Sequence, residues 1–257
     1  MKHAIALFIL VASALTVAAK GPAQLADSAY SKENYTEAVE LYNRALAEGN
    51  VSANVYYNLG NAYFRLGKNG RAVIAYQRAL RIDPANADAR ANLAFVQSRL
   101  QDLPEDDNSF LSNLHNDIVT ATSANAWAWI ALGVFVLLAA AIALYIFSGN
   151  VALRKVGFFG AGVFAVATVY FIVVAADAAA RTSDHSDAVV IVPTTLLNSV
   201  PRQPKQTEKV VPLHEGAQVQ IIDSVLTPDD PVSPRWYNVK INNSTGAWLR
   251  ATDVERI

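Results

Sequence analysis

Residues 51–84 read VSANVYYNLGNAYFRLGKNGRAVIAYQRALRIDP. Their spacing predicts two helices folded back on one another. Tyr56, Leu59-Gly60 and Tyr63 recur three and four positions apart on the first half, and Ala72, Tyr76 and Ala79 do so on the second, the period of one face of an α-helix. Gly60 and Ala72 are small enough to let two helices cross closely. Tyr63, Tyr76 and Leu80 are large enough to fill the space between them. Pro84 cannot continue a helix and ends the second one.

This stretch closely resembles a tetratricopeptide repeat, a helix–turn–helix unit of about 34 residues. One period earlier the pattern recurs more weakly: Leu25-Ala26, Ala29 and Tyr30 on one helix, then Ala38, Tyr42 and Ala45 on the next. One period later a single helix remains, Ala87–Leu100, with Ala91, Leu93, Ala94 and Val96 expected on its apolar side and Arg90, Gln97 and Arg99 elsewhere. A last helix with a polar outer face is what an open-ended stack needs. The expectation is about two repeats plus a capping helix over 20–103. The resemblance implies a concave face lined by the first helix of each repeat, hence a protein-binding groove formed by Tyr57, Asn58, Asn61, Phe64 and Arg65, with Asn92 and Arg99 from the capping helix. Asparagine can grip an extended peptide backbone through paired donor and acceptor groups, and arginine can hold a carboxylate.

Two apolar runs follow, Asn125–Phe147 and Val156–Ala176, with Arg154 and Lys155 the only charges in or between them. Each matches the roughly 20 apolar residues needed to span hydrocarbon as a helix, so 125–147 and 156–176 are expected as a transmembrane hairpin with a turn at 148–155. A hairpin returns the chain to its starting side. The basic turn is expected to be cytoplasmic. The outer flanks are mainly acidic, with Asp117, Asp177, Asp184 and Asp187 against Arg181. Lys2 and His3, the apolar stretch Ala4–Val17 and the small residues Val17-Ala18-Ala19 read as a secretory signal peptide over 1–19. Both arms are therefore expected outside a bacterial inner membrane, in the periplasm. The polar break Gln101–Ser109 reads as a linker. Phe110–Val119 reads as an amphipathic helix on the membrane surface, with Phe110, Leu111, Leu114 and Ile118 on one face; together they make a connecting segment over 104–124. Trp127 and Trp129 are expected at headgroup level, and 177–186 is expected as a second linker.

From Asp187 the texture changes to short β-rich runs split by Gly, Pro, Asn and Asp. Tyr237–Ile241 and Ala247–Arg250 are expected as a hairpin about the turn Asn242–Gly246. Leu213-His214-Glu215-Gly216 before Gln218–Ile222, then Trp236-Tyr237-Asn238-Val239-Lys240, then Thr245-Gly246-Ala247-Trp248-Leu249 resemble, in order, a bacterial SH3-like barrel over 187–257. Pro201–Gln206 is its expected variable loop. The resemblance implies a docking module for peptides or cell-wall peptides, with Trp236 and Trp248 as candidate surface residues.

The chain has 257 residues, a formal net charge of −1, 53% hydrophobic residues and no cysteine. Thiol catalysis and cysteine-ligated metals are excluded, and no basic stripe points to nucleic acid. No nucleophile elbow or phosphate-binding glycine loop is present. The four histidines do not pair at ligand spacing, and Asp184-His185-Asp187 is the nearest approach to a metal cluster. No enzyme activity, cofactor or metal is expected. The order of parts, signal peptide, repeats, two spans and barrel, resembles the BatE family of membrane proteins from the Bacteroides aerotolerance (Bat) system. That resemblance implies a periplasmic scaffold in a stress-tolerance complex, beside Bat membrane proteins with von Willebrand factor type A domains and a MoxR-type ATPase. The residues also allow a cell-wall-binding accessory or sensor that recruits a peptidoglycan enzyme.

Overall fold

A computed structural model describes residues 20–102, 109–183, 186–203, 210–225, 236–241 and 246–257. The expected signal peptide at 1–19, most of the linker before Ser109, Asp184-His185, part of the variable loop and turn residues 242–245 lie outside the described residues.

Five helices form the N-terminal arm: α1 Pro22–Ser31, α2 Tyr35–Ala47, α3 Ala53–Arg65, α4 Asn69–Ile82 and α5 Ala87–Gln97. Local chemistry sets several of their ends. Pro22 opens α1 where its missing N–H costs nothing. Ser52 and Asn86 accept the Val55 and Ala89 N–H groups at the starts of α3 and α5. Helix α4 stops at Ile82, two residues before Pro84. Ala26, Ala38, Ala45, Ala62, Ala72 and Ala79 are all 0% exposed, so the helices meet through methyl groups while Tyr42, Tyr63 and Tyr76 fill the gaps. A Cβ on Gly60 would stand 2.6 Å from Cε1 of Tyr76, the close crossing expected of that glycine.

Helix α5 departs from its expected face. Ala91 and Ala94 are exposed, while Ala89 and Val96 are buried and Leu93 is half-buried. Its contact stripe runs through Ala89, Leu93 and Val96 and continues to Leu100, a rotation that points its end toward the C-terminal arm.

Helix α6 (Phe110–Val119) is capped by Ser109, whose hydroxyl accepts the Ser112 N–H. It packs Val119 against Val174 and Ala178 and leaves Phe110, Leu111 and Leu114 exposed. The two apolar runs form α7 (Ala124–Phe147) and α8 (Val151–Ser183), both long and apolar enough to cross a membrane. Helix α8 is longer than its apolar run at each end. The expected turn at 148–155 shrinks to Ser148–Asn150, because the Asn150 side chain accepts the Ala152 N–H at 2.8 Å and starts the helix early. At the far end, Ala178-Ala179-Ala180 are strong helix formers and Arg181 pairs with Asp177 four residues back. Helix therefore replaces the expected linker from 177 as far as Ser183.

The C-terminal arm is antiparallel throughout its described pairings. Strands β1 (Asp187–Val190), β4 (Gln218–Val225), β5 (Trp236–Lys240), β6 (Ala247–Arg250) and β7 (Val254–Arg256) form one sheet in the order β6-β5-β4-β1-β7. Strands β2 (Thr194–Leu197) and β3 (Val211–His214) form a second, tied to β6 by a bridge between Asn198 and Trp248. One core serves both sheets, with Ala188, Val190, Leu213, Val219, Val239 and Leu249 buried in it.

The two arms touch. Val189 is 0% exposed and belongs to the same core cluster as Tyr76 and Val73 of α4. Around that contact the Gly70 N–H donates to Glu215 Oε1 at 2.9 Å, Arg78 pairs with Glu255 at 2.9 Å, and Arg81 donates to the Ile257 main-chain oxygen at 2.7 Å. Asp102 accepts from the main-chain N–H of His214 and lies 3.0 Å from its Nδ1. Gly216 adopts φ +88°, a left-handed conformation that favours glycine. A Cβ there would also stand 2.5 Å from Leu100.

Candidate protein-binding groove

Helix α3 presents Asn61, Phe64 and Arg65 to a small cavity of about 130 Å³, and α5 presents Asn92, Phe95 and Val96 from across it. Tyr30 of α1 and Tyr76 of α4 complete the lining. At its base Asn61 Oδ1 accepts two hydrogen bonds, from the Tyr76 hydroxyl at 2.7 Å and from Asn92 Nδ2 at 2.9 Å. Asn92 also lies 3.4 Å from the Tyr57 hydroxyl. Burial, with the Tyr57 and Tyr30 phenols nearby, pushes the Tyr76 pKa well above the ordinary phenol range. The ring is therefore held neutral as a fixed donor.

The wall is aromatic and the rim cationic. Phe64 and Phe95 meet edge to face with centroids 5.7 Å apart. Arg65 lies over the Tyr35 ring at 4.5 Å and Arg99 over Phe95 at 4.1 Å. Stacking holds each guanidinium in place without consuming its outward-facing donors. A polar base, an aromatic wall and two guanidinium groups make a surface suited to a short extended segment carrying a carboxylate.

Four of the seven expected groove residues, Asn61, Phe64, Arg65 and Asn92, therefore line one cavity. Tyr57 and Arg99 stand beside it as supports. Asn58 is diverted: its amide donates to Asp27 Oδ1 at 3.1 Å, the atom that also accepts the Tyr42 hydroxyl at 2.6 Å. Burial first, then this bond to Asp27, raises the Tyr42 pKa well above the phenol range. Asp27, Tyr35 and Phe95 went unread in the sequence, and Tyr30 was read as a repeat position but not as part of the groove. Asp27 and Tyr35 sit on or just after the poorly matching helix α1, where no repeat pattern marks them. Phe95 was hidden by the misjudged face of α5.

In the C-terminal arm Trp236 is 5% exposed. It lies inside with Thr195, Asn198, Arg250 and Asp253 around it, so it is not the surface residue expected of it. Trp248 is half-buried at the inter-sheet bridge.

Residues 24–87 and 75–106 each match a tetratricopeptide repeat family model. The chain carries tetratricopeptide repeats. Such repeats are protein-interaction scaffolds. The chain is similar to tetratricopeptide repeat protein 16 of Macaca fascicularis and of Homo sapiens, each 31% identical over 71 residues, or 28% of this chain. It spans about 8% of the length of these curated relatives.

Proposed function

We propose that this protein is a membrane-anchored scaffold that holds protein partners through its tetratricopeptide groove and its C-terminal β module. The observation that carries the reading is the groove itself, with Arg65 and Arg99 stacked at its rim over the Asn61–Asn92–Tyr76 network. Anchoring rests on α7 and α8. Only 11% of the most apolar window of each is buried, so these helices present hydrocarbon outward, as membrane spans do and soluble core helices do not. With Arg154 and Lys155 in the first turns of α8, beside the hairpin turn, on the cytoplasmic side, both arms lie outside the inner membrane, beyond a signal peptide. The β module acts as an SH3-like docking unit through Trp248 and its neighbours. Packed together, the arms keep two partner sites side by side, which raises the effective concentration of one partner for the other.

The order of parts supports a place in the Bat system, with von Willebrand factor type A membrane proteins and a MoxR-type ATPase as partners. Co-purification of the full chain with those co-expressed proteins tests it. The wild type is expected to retain them, and Arg65→Glu with Asn92→Ala to lose them. Retention unchanged by the double variant refutes the groove. Sedimentation with isolated cell wall in place of protein capture supports the wall-binding alternative.

A further inference from the structure

A second cavity, of about 400 Å³, lies where the repeats, the β module and the hairpin meet. The proposed groove does not use it. Leu80, Pro84, Val119, Ala124 and Ala178 form its apolar wall. Three arginines from three different helices line it as well: Arg81 of α4, Arg90 of α5 and Arg181 of α8. Asp187 is a carboxylate in the same lining, and Asp177 neutralises Arg181 from beside it. Arg81 and Arg90 bond main-chain oxygens, of Ile257 for the first and of Pro84 and Thr120 for the second. Arg181 is held by Asp177 at 3.0 Å and Asn116 at 2.8 Å.

The position of the cavity narrows its ligand. Ala124 is the first residue of α7, and Ala178 lies in the last turns of α8. About one turn further along, Trp127 stacks on Phe171 with centroids 5.7 Å apart, and indole rings favour the headgroup level of a bilayer. An apolar wall that continues into two apolar helices and three converging guanidinium groups together describe an anionic amphiphile. A phosphate would take the arginines, whose forked donors match it. The first carbons of an acyl chain would lie on Leu80, Val119 and Ala178. No aromatic side chain lines the cavity to stack a nucleobase.

We infer that the Arg81–Arg90–Arg181 cavity binds the head of an anionic phospholipid, locking the joined arms onto the outer leaflet. This rests on the reading of α7 and α8 as spans. The test uses the full chain in neutral detergent, titrated with dioctanoyl phosphatidylglycerol and followed by native mass spectrometry, with dioctanoyl phosphatidylcholine and inorganic phosphate as comparators. One saturable phosphatidylglycerol is expected, bound about tenfold more tightly than phosphatidylcholine. Arg90→Gln, and Thr122→Trp, which fills the cavity and keeps every arginine, should each weaken it about tenfold. Lys32→Gln, remote and exposed, should change nothing. Equal binding of the two lipids, or binding indifferent to both cavity variants, overturns the inference. So does displacement by equimolar inorganic phosphate, which would make the ligand a free anion. Flotation with phosphatidylcholine vesicles separates the two readings. A chain that fails to float yet binds phosphatidylglycerol in micelles refutes the spans alone. One that floats and binds none refutes the lipid site alone.

Discussion

Helices α3 and α4 cross at Gly60, and helices α7 and α8 cross at Gly157, yet the two crossings are made of different materials. At Gly60 the facing group is the ring of Tyr76. At Gly157 it is main chain: a Cβ there would stand 2.6 Å from Tyr145 N and 2.7 Å from Ala141 O. The first pair buries alanines, tyrosines and aliphatic side chains, with Ala72–Tyr76 of α4 buried in one unbroken run. The second buries little beyond small residues and leaves Phe135, Leu137, Phe159 and Val166 outward. Its one buried polar side chain, Thr168, donates to Phe164 O of its own helix at 2.7 Å. Water supplies the drive for the first crossing, because burying such a run removes apolar surface from solvent. Where the surroundings are themselves apolar that drive is gone, and close van der Waals contact between backbones has to take its place.

The sharpest way to break this comparison is Gly157→Leu. Backbone cannot swing aside as a side chain can, so α7 and α8 must separate at a cost of about 3 kcal/mol or more. The measurement is disulfide formation. Ala141 Cβ lies 3.7 Å from an ideal Cβ on Gly160, and the chain has no native cysteine. Ala141→Cys with Gly160→Cys should therefore cross-link in detergent, and should stop doing so once Gly157→Leu is added. Gly60→Val should cost less, about 2 kcal/mol, because it meets a ring that can turn; a thermal melt of the full chain reads it. An equal or larger loss at Gly60 would erase the distinction between ring and backbone.

Tyr76→Phe tests the polar base of the soluble crossing and should cost about 1 kcal/mol, since Asn61 loses a donor. Its titration gives a second reading. The folded pKa values of Tyr42 and Tyr76 lie above the unfolded phenol value of about 10, so the stability they confer is complete below about pH 10. It is lost as the pH climbs from there toward the folded values. Phenolate absorbance should show these two of the ten tyrosines ionising only as the repeats unfold. Ionisation of all ten without loss of helix would contradict the burial assigned to them. The smallest effect belongs to His214→Ala at the arm interface. It removes a partly exposed contact with Asp102 and should lower the melting stability by about 0.5 kcal/mol.

The middle repeat was legible because every part of its code is local: Gly60, Ala72 and Pro84 each act on their own helix or its immediate partner. The apolar runs were legible for the same reason, by length and composition. The ends of α8 were not. Asn150 capping and the Asp177–Arg181 pair extend the helix past the hydrophobicity that marked it. The groove was half legible, since repeat position places Asn61 and Asn92 but says nothing of Asp27 taking Asn58 away. The contact between arms left no trace of periodicity. Val189 reads as an ordinary strand residue, and only the fold shows that its side chain enters the core of the repeats.

The bond from Gly70 to Glu215 joins positions 145 residues apart, and so long a loop favours one order of assembly. Closing so long a loop directly would cost more entropy than closing any of the local hairpins. Helices α7 and α8 shorten it: once they pair, Ala124 and Ala178 lie at the same end of the hairpin, and the hairpin drops out of the loop to be closed. The repeats can form as soon as they are made, and closure of the hairpin eases the approach of Val189 to them. A chain whose hairpin is open leaves the face of α4 that takes β1 uncovered.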